Sequence, residues 1–164
     1  MKRIGYGQVE PNHLSAQRNG KIYAQLPADP ALKLIENGMF LKYDYAANEV
    51  NTDGEGEWLL VYNEVKTYDA RETYKDFALK AENAHNGVLV PRLLKTDIGD
   101  IFTTNCIGKE SNEDAAPAVG TYLVVGADGY LVAGAKGEGM AWKVVDNKIG
   151  MPDGQAGVKI QRVQ

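Results

Sequence analysis

The stretch VGTYLVVGADGYLVAGAKGEGMAWKVVD, residues 119–146, decides the fold class. Thr121 to Val125, Tyr130 to Ala133 and Met140 to Asp146 are short runs rich in β-branched and aromatic residues. They are separated by Ala127-Asp128-Gly129 and by the glycine cluster Gly134 to Gly139. Tight turns between strands need positive φ, which glycine adopts at little cost, so this is the pattern of strands joined by hairpins. It continues on both sides. Upstream, Val88 to Lys95 and Asp100 to Cys106 flank a turn at Thr96 to Gly99. Downstream, Met151-Pro152-Asp153-Gly154 is a turn before a closing strand with Val158, Ile160 and Val163. Five or six strands at this spacing predict a small β-barrel or sandwich over 88–164. Gly108 to Ala116, polar throughout, reads as a loop.

The region 21–87 is expected to be β-rich with one helix. Ile22, Ala24 and Leu26 alternate with polar neighbours until Pro27 and Pro30 end the run. Asp29 to Glu36 reads either as one turn of helix or as a short strand leading to Asn37-Gly38. Met39 to Tyr45, the turn Ala46 to Glu49 and Val50-Asn51 form a hairpin whose aromatic residues are placed to pair. After the turn Asp53 to Gly56, Glu57 to Tyr68 reads as a long strand with a bulge near Asn63. Asp69-Ala70-Arg71-Glu72 has the spacing of a helix capping box, and Tyr74, Phe77, Ala78 and Ala81 recur at helical spacing until Asn86-Gly87. Residues 1–20 hold few apolar anchors among Gly5, Gly7, Pro11, Asn12, Asn19 and Gly20. They are expected to form an extended arm without a core of its own.

Composition agrees with a mainly β chain and narrows the chemistry. At 164 residues the chain makes one ordinary domain or two small ones and buries roughly two-thirds of its unfolded surface. One cysteine, Cys106, excludes an intrachain disulfide, and with only His13 and His85 beside it a structural zinc site lacks ligands. Eighteen basic against 22 acidic side chains give a net charge of −4. With no basic patch in the sequence, no direct nucleic-acid partner is expected. Nor is a membrane partner expected: no apolar run approaches the ~20 residues that span a bilayer, and Gly5 to Gln8 interrupt any signal core. Synthesis in a cytoplasm is the corresponding expectation.

The residues able to carry chemistry do not form a motif. Gly134-Ala-Lys-Gly-Glu-Gly139 lacks the Gly-Lys-Ser/Thr ending of a phosphate loop and a helix after it, so it reads as a hairpin loop. Asp97 and Asp100, flanking Gly99, read as turn formers before they read as an acid/base pair. His13 and His85 sit in no pattern with Cys106, Ser15 or Ser111 that suggests a nucleophile and its base. Cys106 reads as a buried, inert thiol. Nine tyrosines to three phenylalanines suit half-exposed surfaces that meet a partner, although strand propensity explains most of them. No catalytic, cofactor-binding or metal-binding residue is assigned, and the chain is not expected to be an enzyme or to carry a cofactor.

From about Lys95 to Gln164 the chain resembles the small β-barrels of bacteriophage head decoration proteins. The resemblance lies in Ile98-Gly99-Asp100-Ile101-Phe102, Val119-Gly120-Thr121-Tyr122-Leu123, Ala127-Asp128-Gly129-Tyr130-Leu131-Val132, Trp142-Lys143-Val144-Val145 and Val158-Lys159-Ile160. Gly5 to Leu26, with Asn12-His13-Leu14-Ser15-Ala16-Gln17, is also similar to uncharacterised proteins encoded near the major capsid protein in phages of gut bacteria. The resemblance implies a structural virion protein on the capsid exterior. Its partner would be the major capsid protein and its own state a homo-oligomer, such as a trimer. It further suggests that residues 1–20 lie along neighbouring subunits. The alternative is a glycan- or receptor-binding module of a phage tail or fibre, using Tyr43, Tyr45 and Trp58 in one open groove.

Overall fold

The structure, a computed structural model, describes residues 1–19, 22–65, 71–109 and 116–164. It is mainly β. In chain order the elements are β1 (Val9–His13), α1 (Ser15–Asn19), β2 (Ile22–Ala24), β3 (Leu34–Ile35), β4 (Phe40–Asp44), β5 (Glu49–Asn51) and β6 (Leu59–Val61). They continue with β7 (Leu79–Lys80), β8 (Leu93–Leu94), β9 (Ile101–Thr104), β10 (Tyr122–Val125), β11 (Leu131–Ala133), β12 (Ala141–Gly150) and β13 (Ala156–Arg162). Among the described residues no helix is long and apolar enough to cross a membrane.

The strands expected over 88–164, except that at Val88 to Lys95, fall with β1 in the larger sheet, with order β1-β9-β13-β12-β10-β11 and every pair antiparallel. Its hairpins follow the predicted turns. Gly129, at φ +82°, closes β10–β11, and Gly154, at φ +84°, closes β12–β13 with hydrogen bonds between Met151 and both Gly154 and Gln155. A parallel bridge between Ile107 and Leu131, with Gly108 N donating to Leu131 O, ties β11 to the chain just beyond β9. The sheet therefore curls back on itself, as a small barrel does.

The second sheet, β2-β8-β6-β4-β5, is a middle layer. Leu59, Leu60 and Val61 of β6 are all fully buried because successive side chains enter different cores. Phe40, Leu60 and Leu94 face Phe102, Leu123, Trp142 and Ile160 of the curled sheet. Leu41, Leu59, Val61 and Leu93 face Ile35, Met39, Val50 and Leu89 on the other side. The sheets interleave the chain: β8, after residue 88, joins the N-terminal sheet, while β1 joins β9. Phe40 N donates to Gly129 O at 2.7 Å and fastens the two sheets at their junction.

Two expectations differ from the structure. The helix expected from Asp69 to Gly87 is not formed over its described residues, 71–87. Asp69 and Ala70 lie outside the described residues, as do 66–68 of the expected long strand and 110–115 of the expected loop. In place of the rest of the helix stand three 3₁₀ turns, Tyr74–Asp76, Ala81–Asn83 and His85–Gly87, with β7 between the first two. β7 takes its hydrogen bonds from β3, Leu34 opposite Lys80 and Ile35 opposite Leu79, and Asn86 at φ +55° breaks helical geometry. Tertiary pairing overrides the local helical spacing. A capping box forms four residues beyond the expected one, between Thr73 and Asp76, and closes a single turn.

The second difference concerns the arm. Residues 1–19 are largely extended but dock on their own chain. β1 adds to β9 as an edge strand in which Pro11 is tolerated. Met1, Val9, Leu14 and Ala16 enter the main core. The one α-helix among the described residues, α1, lies here; its first residue, Ser15, donates from N and Oγ to the buried carboxylate of Asp100 at 2.9 and 2.5 Å.

Candidate functional site

The polar groups considered for catalysis are placed apart in role. Asp100 is consumed by its bonds to Ser15 and by accepting the Asp97 amide at 2.9 Å, so the Asp97/Asp100 pair is a turn with a helix tether. His13 is exposed, and Arg18 Nη1 lies 3.4 Å from its Nε2. His85 opens an exposed 3₁₀ turn. Ser111 lies outside the described residues. Gly134 to Gly139 is an exposed connection between β11 and β12. Among the described residues no three His, Cys, Asp or Glu side chains gather where they could hold a metal ion.

The most organised polar cluster was not singled out from the sequence. Glu36 is 2 % exposed and accepts from Arg3 Nη2 at 2.9 and 3.1 Å, from Gly7 N at 2.9 Å and from the Tyr130 hydroxyl at 2.5 Å. Arg3 also donates to the carbonyls of Gly108 and Lys109 and lies 5.8 Å from the Tyr130 ring centroid. This ion pair ties the arm to the junction of the two sheets. The same arm is held by Gln155, which exchanges hydrogen bonds with Ile4 N and O, by Gln8 N to Asn105 Oδ1, and by Thr104 Oγ1 to Gln8 O. An acidic residue between Ile35 and Asn37-Gly38-Met39-Phe40 is the signal that marked the cluster. Its geometry is that of a lock, with each carboxylate lone pair engaged.

Cys106 lies beside this lock and is fully buried, and burial pushes its thiol up to about 12. Burial, reinforced by the hydrogen bond to Glu36, likewise raises the Tyr130 hydroxyl. Both folded groups resist deprotonation, so their contribution to stability is fully present below the ordinary values of 9.0 and 10.0. It is lost as pH rises from there towards the folded values. Thermal melts should therefore show a constant midpoint from pH 7 to about pH 8.5 and a falling one above roughly pH 9.5.

Packing against Cys106 is close enough to dictate glycine. A Cβ on Gly38, which has φ +95°, would lie 2.7 Å from Cys106 Cβ, and one on Gly7 would lie 2.6 Å from its Sγ. Gly38→Ala is expected to cost about 1–3 kcal/mol in urea denaturation from strain and overpacking together. Adding Cys106→Ala should return little of that loss, because alanine keeps the Cβ that the new methyl meets and the positive φ remains.

The surface offers contact groups, not a single aromatic groove. Tyr43, on β4, and Tyr45, in the turn that follows it, stack at 5.6 Å and 12°, and Tyr45 is 64 % exposed. Trp58 is on the other side of that sheet, against the main core, with Lys42 Nζ 4.5 Å from its ring centroid. The three aromatics are therefore divided between two faces. The two most exposed large apolar side chains of the curled sheet sit on hydrogen-bonded turns. Ile98 stands in the turn closed by Asp100 N to Asp97 O, before Gly99 at φ +96°; Val119 stands in the turn closed by Thr121 N to Ala118 O, before Gly120 at φ +91°. At that position of a glycine-containing turn the side chain projects outward; Ile98 is 72 % and Val119 60 % exposed.

Comparison with protein families, with curated proteins and with solved structures finds no match to this chain.

Proposed function

We propose that this chain is a non-catalytic virion protein that binds the outside of an assembled phage capsid, through the major capsid protein, and stabilises the shell. One observation carries the reading. The five segments on which the resemblance to head decoration proteins rests all fall in one curled antiparallel sheet or in its turns. That sheet presents Ile98 and Val119 on hydrogen-bonded turns. A homo-oligomer touching several shell subunits needs only about 800 Å² per contact, because simultaneous contacts multiply in effective concentration. The arm does not serve as the reaching element in this reading, since Met1, Val9, Leu14 and Ala16 and many of its hydrogen-bonding groups are engaged within the chain.

Stabilisation is tested on heads of the encoding phage prepared without this protein. Adding the purified protein should raise the temperature at which the heads release DNA, and Ile98→Asp with Val119→Asp should abolish the increase without changing the protein's own unfolding. An unchanged release temperature at saturating wild-type protein would overturn the proposed role.

A further inference from the structure

Two Asn-Gly pairs lie within the described residues, Asn37-Gly38 and Asn86-Gly87, and the fold treats them in opposite ways. Such a pair is reactive because the backbone nitrogen after an asparagine can attack that asparagine's own side-chain amide, and a glycine there has no Cβ to crowd the approach. The attack requires rotation about ψ of the asparagine. It is therefore governed by whatever holds that peptide in place.

Asn37 is held firmly. It is 2 % exposed; its Nδ2 donates to Asn63 O at 3.2 Å, and its Oδ1 accepts from Asn63 N at 2.8 Å and from Asn63 Nδ2 at 3.2 Å. The nitrogen that would attack, Gly38 N, donates to Val61 O at 3.0 Å. Rotation here breaks these bonds inside the packed site beside Cys106, so it waits on a large opening of the fold.

Asn86 is the reverse case. It is exposed, as are His85 before it and Val88 after the glycine, and no described residue hydrogen-bonds its side-chain amide. It stands at φ 55° and ψ 21° inside the 3₁₀ turn His85–Gly87, which buries no residue. A Cβ on Gly87 would meet only Ala81 O, at 3.9 Å, so the space beside the attacking nitrogen is open. The turn itself is closed by Gly87 N to Ala84 O at 3.1 Å and Val88 N to His85 O at 3.2 Å. Bonds of an exposed turn open at little cost, and a left-handed conformation is one that a non-glycine residue leaves readily.

We propose that Asn86 is a site of spontaneous deamidation in the native protein and that the fold exempts Asn37. Gly87 N gives its proton to water and bonds to Asn86 Cγ; the Cγ–Nδ2 bond breaks, ammonia leaves with a proton taken back from water, and a cyclic succinimide remains. Water then opens the ring. Opening at the side-chain carbonyl gives aspartate, and opening at the backbone carbonyl gives isoaspartate, whose main chain runs through Cβ and Cγ. In sum one water is consumed and one ammonia released, with no oxidation or reduction. Either product adds a negative charge to the net −4, two residues before the exposed Val88. The proposal is independent of the virion reading.

The test is peptide mapping of the full chain after prolonged incubation in warm, mildly alkaline buffer. Trypsin releases Asn37 within residues 34–42 and Asn86 within residues 81–92. The expected result is a gain of about 1 Da in the second peptide, placed on Asn86 and not on Asn83 by fragmentation, and divided between two chromatographic forms, aspartate and isoaspartate. The peptide holding Asn37 should change at least about tenfold more slowly. In urea, where the fold no longer protects Asn37, the two peptides should change at comparable rates. No gain at Asn86 in the native chain, or a gain at Asn37 as fast as at Asn86 there, would overturn the proposal. So would an Asn37 that stays slow in urea, because its protection would then lie in the neighbouring sequence and not in the fold.

Discussion

Glu36→Gln should destabilise the protein by about 3–5 kcal/mol in urea denaturation, lowering the thermal midpoint on the order of 10 °C. The carboxylate is buried and engages Arg3, Gly7 and Tyr130. A neutral amide cannot balance the Arg3 charge, whose side chain is only 6 % exposed, and it presents a donor where the Gly7 N–H or the Tyr130 hydroxyl also donates. Arg3 keeps the carbonyls of Gly108 and Lys109, which offset part of the loss. The pair, not the individual residues, is the unit. Arg3→Met combined with Glu36→Gln should therefore cost less than the sum of the two single changes, by about 0.5–3 kcal/mol. Hydrogen exchange adds a spatial check, because amides of β1 should lose protection before those of β12 if the lock is what fastens the arm. Additive single and double variants would show that Arg3 and Glu36 act separately.

Trp142→Ala is the second large effect, at about 3–5 kcal/mol. Trp142 is fully buried in β12, with its ring centroid 4.9 Å from Phe102 in the same sheet and 5.9 Å from Phe40 in the other. Truncation leaves a cavity at the place where the two sheets share a core, so both sheets lose packing together. Trp142→Phe should cost much less, because the ring contacts are largely kept and the indole Nε1 has no hydrogen-bond partner among the described residues. Tyr45→Ala, on the exposed tyrosine pair, should fall within about 0.5 kcal/mol of wild type and serves as the surface control. A loss at Tyr45 comparable to that at Trp142 would contradict the assignment of the core.

The strands that followed local rules were legible. Phe40–Asp44 and Glu49–Asn51 alternate around a polar turn, and the glycines at 129 and 154 stand where hairpins need positive φ. Arm and helix were not legible, for a shared reason. Their conformations are set by partners far along the chain, which periodicity does not report. Leu79 and Lys80 have helical neighbours in sequence but strand partners at Ile35 and Leu34. The arm looks too polar to dock because polar groups hold it: Asn105 for Gln8, Asn12 for Thr103, Asp100 for Ser15, Glu36 for Arg3. Glu36 itself was visible as an acidic residue within an apolar run. Nothing local showed that its partner would be Arg3, or that Tyr130, almost a hundred residues away, would complete the site.

The lock also changes what the virion reading requires. An arm free to lie along a neighbour would make residues 1–19 the contact surface. Their docking on β9 moves the expected contacts to the turns at Ile98 and Val119. A protein of this kind arrives at a shell already folded, so association should be fast, limited by orientation, and without a large ordering cost.

Co-sedimentation with intact and with stripped phage heads tests the proposed role most directly, with the protein's own mass fixed by light scattering. The account predicts saturable binding to stripped heads at a fixed ratio to the major capsid protein, little binding to heads already decorated, and a mass that is a small multiple of 17.9 kDa. A folded, monodisperse protein that fails to bind stripped heads would contradict it.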